Sequence, residues 1–477
     1  MTADAVPPQP AAAAALPTKT ADGPAPRPSP PALTPEQLAI VKATAPVLQQ
    51  QGVAITTLFY NNLLAAHPAL KNVFSLTSQA TGAQPRALAA AVLAYAAHID
   101  DLGALHHAVE RIAHKHASLQ IQPAQYDLVG ENLLAAIGTV LGDAATPAIV
   151  DAWTAAYALL ADVFINREKA LYDAAAARGG GGENGAAGTG WVGWRPFRVV
   201  RRAPATADGR ILNLDLTPVD GRPLPVYAPG QYISLQMSVP ALGVLQSRQY
   251  SLSRAPRHSD GDGDDNTYRI SVKRDDGHGG ATAPGCISNL VHDTLQVGTE
   301  VELSQPQGEF VVEEPAAPTS TTTTTATAPT TPLVLISAGV GATPLMAILE
   351  ETVAQGQGRP IAWVHASRAR SAVPFTEEVR ALQAAHPKQI TTRFVLTDVA
   401  ADDDSNDGAA DVVCGTRLKL ADLTADERRR LLFVDNPRTG YYLCGPAGFM
   451  VASRAALEDM GVGSDRIHLE LFETGDL

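Results

Sequence analysis

The chain has 477 residues, 45% of them hydrophobic, and a formal net charge of −13. At about 150 residues per domain this length accommodates roughly three domains, and the acidic balance excludes a nucleic-acid partner, because phosphate binding requires a basic surface. Three cysteines, Cys286, Cys414 and Cys444, are too few and too scattered for a disulfide frame or a zinc site; no run approaches the ~20 apolar residues of a membrane span, so a cytoplasmic, reducing setting is expected.

Residues 1–33 are rich in Ala and Pro, with Lys19 and Arg27 as the basic residues, and are expected to form a disordered tail rather than a targeting signal. At "TPEQ" Thr34 suits an N-cap, Pro35 the first helical position and Gln37 the far side of a capping box. "TTLFYNNLLAAHP" is a helix that stops near Pro68. In "ERIAHKHASLQI", a helix over 105–118 places Val109, Ile112 and His116 on one apolar face, spaced i, i+3, i+7. His114 points about 140° away from that face, beside Glu110 and Arg111, and is expected to meet water. On the residues alone His116 reads as a satisfied core histidine more readily than as a ligand. Tyr126 and Glu168 are polar residues on otherwise apolar helices, the second within a long last helix over 147–177.

"RGGGGENGAAGTG" is a flexible linker, so the helical domain spans 34–177 and the linker 178–193. Short alternating runs with turn signals, "YISLQM" and "YRISVKR" among them, predict an all-β domain over 194–312. Residues 313–331 are a Thr-rich, exposed insert. Over 332–477 the apolar runs "LVLIS", "IAWVHAS", "TRFVLTD" and "YYLCG" alternate with helical segments, which predicts a parallel α/β sheet. No internal repeat is present. "LVLISAGVGATPLMAIL" reads as strand, turn and helix. Gly339 and Gly341, around Val340 and Ala342, let backbone approach a phosphate, Thr343 can cap, and Pro344 fits the first turn. "HASRARS" offers Ser367 and Arg368, which either meet a 2′-phosphate or lie on the surface.

Taken in order, these segments resemble the flavohaemoglobin family from about Thr34 to Leu477. "HPALKNVF", "AYAAHI", "AVERIAHKH", "PAQY" and "AWTAAYALLADVFINRE" look like its globin half. "PGQYISLQM" and "SRQYSLSR" resemble the flavin barrel of ferredoxin reductases, and "YYLCGPAGFM" and "HLELF" the nucleotide domain that follows. The resemblance implies a multidomain chain: an all-α globin domain, an antiparallel β-barrel FAD domain and an α/β parallel-sheet NAD(P) domain. Its cofactors are haem b, FAD and NAD(P)H, its substrates O2 and nitric oxide, and its state a monomer.

In the family's arrangement His116 is the iron ligand, with Tyr126 and Glu168 supplying hydrogen bonds behind its ring; a carboxylate there makes the imidazole more electron-donating. Tyr60 donates a hydrogen bond to bound O2, which carries partial negative charge. Gln84 matches the distal glutamine, placed by Pro85 at the start of its helix; Phe74 wedges the haem and Leu88 covers the distal face. Arg248 neutralises the FAD pyrophosphate, Tyr250 stacks on the flavin, Ser251 bonds its edge, and Gln249 and Tyr227 lie beside it. Gly285 to Ser288 open a helix whose N–H groups hold the other anionic end. Cys444, Gly445 and Pro446 leave room beside the nicotinamide. Glu470, Leu471 and Phe472 reach the flavin, although Glu473-Thr474 stand where the family has Gly-Pro, and Lys115 pairs with Glu470 to bias electron transfer. The implied activity is nitric oxide dioxygenation; a haem O2 sensor or carrier, or a flavin or peroxide reductase, are the alternatives.

Overall fold

A computed structural model describes residues 29–179, 188–256, 266–277, 285–312, 331–398 and 411–472. The expectations for most of the N-terminal tail, the centre of the linker, the Thr-rich insert up to residue 330 and the Glu473-Thr474 substitution lie outside the described residues. Two compact units are present, the described part of Met1–Asp100 with Pro123–Val163 and Ser238–Gln246, and Asp101–Gln122 with Phe164–Met237 and Ser247–Leu477.

The first unit is built on helices. In α1 (Pro35–Ala43) the capping box forms: Gln37 N donates to Thr34 Oγ1 at 3.2 Å and Thr34 N to Gln37 Oε1 at 3.0 Å. α2 (Ala45–Ala66) buries Leu48, Gly52, Ile55, Thr56, Phe59, Tyr60 and Leu63, a stripe spaced by three or four residues. It ends because His67, held out of the α region by the following proline, takes φ −127°, ψ 72°. α3 (Leu76–Ala80) is a single turn, and α4 (Ala83–Ala97) crosses α2 closely: a Cβ on Gly52 would sit 3.3 Å from the Ala89 methyl. Burying side chains such as Ile55, Phe59 and Leu63 contributes about 1.5–3 kcal/mol each.

Next in the chain come α5 (His106–Ser118), α6 (Pro123–Leu141) and α7 (Pro147–Gly179). α6 and the part of α7 up to Val163 complete the helical unit, where Trp153 Nε1 donates to Thr44 Oγ1 at 3.1 Å and Tyr95 OH to the Ala156 carbonyl at 2.8 Å. No uninterrupted apolar run approaches the length of a membrane span, as expected. Averaged over 18 residues, α7 is the one helix among the described residues that is long and apolar enough by length and composition, a test that core helices also pass. A count of uninterrupted apolar residues overlooks it because charged side chains are spread along it. Two of these, Arg167 and Glu168, are ion-paired within the protein, to Glu110 and His116.

The second unit carries α5, the rest of α7 and two sheets. Strands β1 (Arg195–Pro204), β2 (Ile211–Pro218), β3 (Tyr232–Val239), β4 (Val244–Ser251) and β5 (Tyr268–Lys273) are followed by α8 (Cys286–Thr294) and β6 (Glu300–Leu303). Their order is β4-β3-β6-β1-β2-β5, and an antiparallel bridge from Leu252 to Ile270 joins the two edges, so the sheet closes as a barrel. β1 alternates buried Arg195, Phe197 and Val199 with exposed neighbours, the period-2 pattern of a wall with one side inward.

The second sheet is parallel. It comprises β7 (Leu333–Ala338), β8 (Ile361–Ser367), β9 (Ile390–Leu396), β10 (Val412–Cys414), β11 (Gly440–Cys444) and β12 (Ile467–Glu470), in the order β10-β9-β8-β7-β11-β12. Helices α9 (Ala342–Ala354), α10 (Thr376–Ala385), α11 (Ala425–Leu432) and α12 (Ala447–Asp459) are interleaved with these strands along the chain. Leu333 and Leu335 of β7 point into one core and Val334 and Ile336 into another, so this strand is apolar throughout rather than alternating. The chain leaves β7 toward β8 on one side and returns to β11 on the other. A switch of this kind opens a crevice at the carboxyl ends of the strands, where ligands bind in open α/β sheets.

Candidate active site

The two histidines of α5 are both engaged. His116 Nδ1 lies 2.8 Å from Glu168 Oε1, and Glu168 itself is 2% exposed. The ring packs 5.7 Å from that of Phe164, one turn before Glu168 on α7. His114 departs from its expected place in water. Its Nδ1 meets Gln307 Oε1 at 2.8 Å, and its side chain is 13% exposed against 33% for His116. The face read from helical periodicity is not the buried one: α5 buries Ala113, Ala117 and Ser118, Val109, Ile112 and His116 are half-buried, and the side carrying His114 is covered by the strand connection that carries Gln307. Desolvation holds the His114 pKa below its usual value despite the bond to Gln307, so this ring is neutral.

Around this pair, α5 is pinned at three points. Arg167 forks onto Glu110 at 2.6 and 2.7 Å, Ser234 Oγ of β3 donates to Ser118 Oγ at 2.8 Å, and Gln307 holds His114. Tyr172, one turn beyond Glu168, donates to the Ile121 carbonyl at 2.8 Å. Tyr126 is buried on α6 in the helical unit, where its carbonyl accepts from Tyr157 OH at 2.6 Å.

The helical unit holds a second group of expected residues. Tyr60 is 4% exposed, its ring 4.6 Å from Phe59 and 5.4 Å from Phe74, the latter edge-on. Burial pushes its phenol pKa far up, countered in part by a side-chain hydrogen bond with Gln84, so the hydroxyl stays protonated and can donate. Gln84 sits in the first turn of α4, after the left-handed cap Gly82 (φ +70°), with Pro85 where a free N–H is not needed. Leu88 is half-buried one turn on. Gln246, which sequence reading passed over, is 3% exposed and fastens the segment bearing Phe74: its Nε2 donates to the carbonyls of Lys71 at 2.7 Å and Phe74 at 3.2 Å, and its Oε1 accepts from Leu76 N at 3.0 Å. No local signal could reveal a bond across some 170 residues of chain.

In the barrel, Arg248, Gln249, Tyr250 and Ser251 form the end of β4. Arg248 Nη1 donates to its neighbour's carbonyl, Ser247 O, at 2.8 Å, and Gln249 Nε2 to Ser234 Oγ at 2.9 Å. Desolvation lowers the Arg248 pKa from its usual value while leaving a strong base, so it remains a cation. Ser251 Oγ and Ser288 Oγ are buried and have no hydrogen-bond partner among the described residues. Such orphaned hydroxyls are uncommon in a finished interior, and a flavin edge and a phosphate would satisfy them. Gly285 caps α8, and a Cβ there would lie 2.6 Å from Ser288 Oγ. Tyr227 donates to the Arg254 carbonyl at 2.5 Å and packs edge-on against Tyr268 at 5.5 Å, which anchors it in the barrel. Arg248→Ala is expected to lower the FAD bound per protein, read from the flavin absorbance of the purified chain, with the haem band unchanged; full retention of FAD would remove Arg248 from this role.

At the mouth of the parallel sheet, Gly339 has φ +56° and Gly341 lies against β11, where a Cβ would come within 2.2 Å of the Cys444 carbonyl. Thr343 does not cap α9: its hydroxyl donates to the Val340 carbonyl at 3.0 Å, and Gly341 is the cap residue. Pro344 occupies the first turn. Gly341→Ala should therefore push the turn and the Cys444–Gly445 strand end apart, lowering the melting temperature by several degrees; an unchanged Tm would show that the two loops move freely. Cys444 is fully buried and its thiol pKa is raised by desolvation and then by Glu470, which makes it inert rather than nucleophilic.

Glu470 ends β12 in register with Cys444. Desolvation, then the Glu309 carboxylate, push its pKa up to about 8 against the pull of Arg111 and Lys115. Lys115 is held below its usual pKa by desolvation and by Arg111 and Arg248, with Glu470 acting in the opposite sense. Both groups are thus within electrostatic reach of each other. Leu471 is half-buried and Phe472, the last described residue, is exposed.

Comparison with known proteins agrees with this layout. The Globin family matches residues 57–164 and the oxidoreductase NAD-binding domain residues 335–455. The chain is 43% identical to a flavohemoprotein of Bordetella pertussis over 443 residues, 93% of this chain and 99% of that one. It is 42% identical to a flavohemoprotein of Deinococcus radiodurans, covering 92% and 97% of the two chains. A crystal structure of flavohemoglobin from Malassezia yamatoensis with bound FAD and heme superposes with a TM-score of 0.74 at 29% identity, covering 92% of this chain and all of that one.

Proposed function

The chain belongs to the flavohemoprotein family, an NAD(P)H-dependent haem and FAD oxidoreductase by its domains, and from that premise we propose that it is a nitric oxide dioxygenase, turning NO and O2 into nitrate as a cytoplasmic monomer. The observation that carries this reading is the His116–Glu168 pair at 2.8 Å. A carboxylate on the far ring nitrogen orients the imidazole and raises its basicity, which favours oxygen chemistry over oxygen storage.

The residues present suit all three groups. Haem needs an imidazole with a fixed tautomer, and Glu168 supplies the partner that fixes it. FAD needs a cation for its pyrophosphate and donors for its edge, roles that Arg248 on β4 and the unpartnered hydroxyls of Ser251 and Ser288 would suit. The coenzyme needs a close backbone approach at the switch point, offered by Gly339 to Gly341. When bound, the flavin takes a hydride and passes electrons singly, which lets haem iron be reduced by a two-electron donor.

The chain's own contribution is positioning and hydrogen bonding. Tyr60 presents a protonated hydroxyl from an apolar wall, and Gln84 orients it. The buried Phe59 and the ring of Phe74 keep water from that hydroxyl. Gln246 keeps the Phe74 segment in place. In the other unit Ser118, His114 and Arg167 hold α5, which keeps the backbone of His116 beside Glu168.

NO consumption and nitrate formation, measured with NADH or NADPH in the presence and absence of O2, test the proposal. Rapid O2-dependent loss of NO with stoichiometric nitrate supports it. O2 binding with no NO turnover would point to a sensor or carrier, and equal rates on flavin or peroxide acceptors without NO turnover to a reductase.

A further inference from the structure

The carboxyl end of β8 adjoins that of β7, which carries the Gly-rich turn. In nucleotide-binding sheets of this kind the end of the strand after the Gly-rich turn meets the adenosine ribose. A carboxylate there selects the free 2′-hydroxyl, and an arginine accommodates a 2′-phosphate. In this chain β8 ends in Ser367, and the sequence continues Arg368-Ala369-Arg370 with no acidic residue. The Ser367 hydroxyl and the Arg368 guanidinium have no hydrogen-bond or ion-pair partner among the described residues, and Arg368 is exposed. The loop is nonetheless fixed by its backbone: Thr397 N donates to Ser367 O at 3.2 Å, Asp398 N to Arg368 O at 2.8 Å and Asp208 N to Ser371 O at 2.9 Å. The Asp398 carboxylate accepts from Thr397 Oγ1 at 3.1 Å.

The barrel edge that adjoins this loop, through Asp208 N and Ser371 O, carries two more cations. Lys273, the last residue of β5, pairs in register with Ile211, next to Arg210. Desolvation, then the like charges of Arg368 and Arg210, hold Lys273 below its usual pKa, with Asp275 and Asp208 acting against them. Arg210 is itself paired with Asp276, and Asp208 accepts from Thr206 Oγ1 and Arg210 N within its own turn. Arg368 and Lys273 are therefore neighbours of like sign, and a dianion between them relieves their repulsion.

We propose that Ser367 and Arg368, with Lys273 beside them, form a 2′-phosphate site, and that the electron donor of this enzyme is NADPH rather than NADH. The guanidinium fork suits a phosphate, the serine hydroxyl adds a donor, and the absent carboxylate removes the group that would reject it. This inference rests on the reading of NAD(P)H as donor and narrows it.

The test compares binding of adenosine 2′,5′-bisphosphate and 5′-AMP to the holoprotein by calorimetry, which requires no turnover. The bisphosphate should bind at least about tenfold more tightly, as one charge-assisted hydrogen bond gives. Arg368→Glu should erase that difference and leave 5′-AMP binding unchanged. In flavin reduction followed by absorbance without NO, the same variant should lose NADPH over NADH preference by about tenfold to a hundredfold. Equal binding of the two ligands by the wild type, no binding of either, or an equal loss of both in Arg368→Glu would overturn the proposal. Preferential flavin reduction by NADPH without NO consumption would leave this site standing and remove the dioxygenase reading instead.

Discussion

His116→Ala should yield protein that purifies without the haem Soret band, whereas His114→Ala keeps it. The two side chains lie two residues apart on one helix, yet only His116 has its Nδ1 on a carboxylate, at 2.8 Å from Glu168. His114 is committed to Gln307 at 2.8 Å, and desolvation favours its neutral ring. Haem supplies four of the iron's ligands itself, so one protein imidazole decides retention. Alanine also breaks the pair between His116 and Glu168, which is 2% exposed, and breaking a buried pair costs about 3–5 kcal/mol. A loss of helicity in the variant would separate that penalty from ligand loss, and His116→Gln, which keeps a polar group near Glu168, serves as the milder control. Loss of haem in His114→Ala with retention in His116→Ala would reverse the assignment.

Tyr60→Phe keeps the ring between Phe59 and Phe74 and removes only the hydroxyl, so packing should change little. What is lost is a donor in an apolar setting, held protonated by burial and oriented by Gln84. A hydrogen bond to a group with developing negative charge contributes roughly 1.5–3 kcal/mol. Each ~1.4 kcal/mol is tenfold, so O2 should leave the ferrous protein on the order of tens of times faster. NO turnover at low O2 should fall with it, and reduction of FAD by the coenzyme should not. An O2 dissociation rate equal to wild type would take Tyr60 out of ligand stabilisation and leave Gln84 as the candidate donor.

What the sequence by itself determined is the kind and order of the elements. Local chemistry carries that information: a Thr-Pro-x-Gln start that caps α1, a proline that ends α2 by restricting His67, and an apolar run with a Gly-x-Gly turn that makes β7 and α9. Tertiary structure decided what covers each face. His114 met Gln307 instead of water, Thr343 turned to the Val340 carbonyl because Gly341 took the cap, and Gln246 fastened the Phe74 segment from 170 residues away. The partner of His116 lies 52 residues along the chain, and Arg210, Lys273 and Arg368 come from three separate strand ends. The physical reason is range. Capping, turns and helical stripes are set by neighbours within about four residues, whereas burial, desolvation and pairing of charges depend on which distant surface packs against them, and that appears only when the chain is folded.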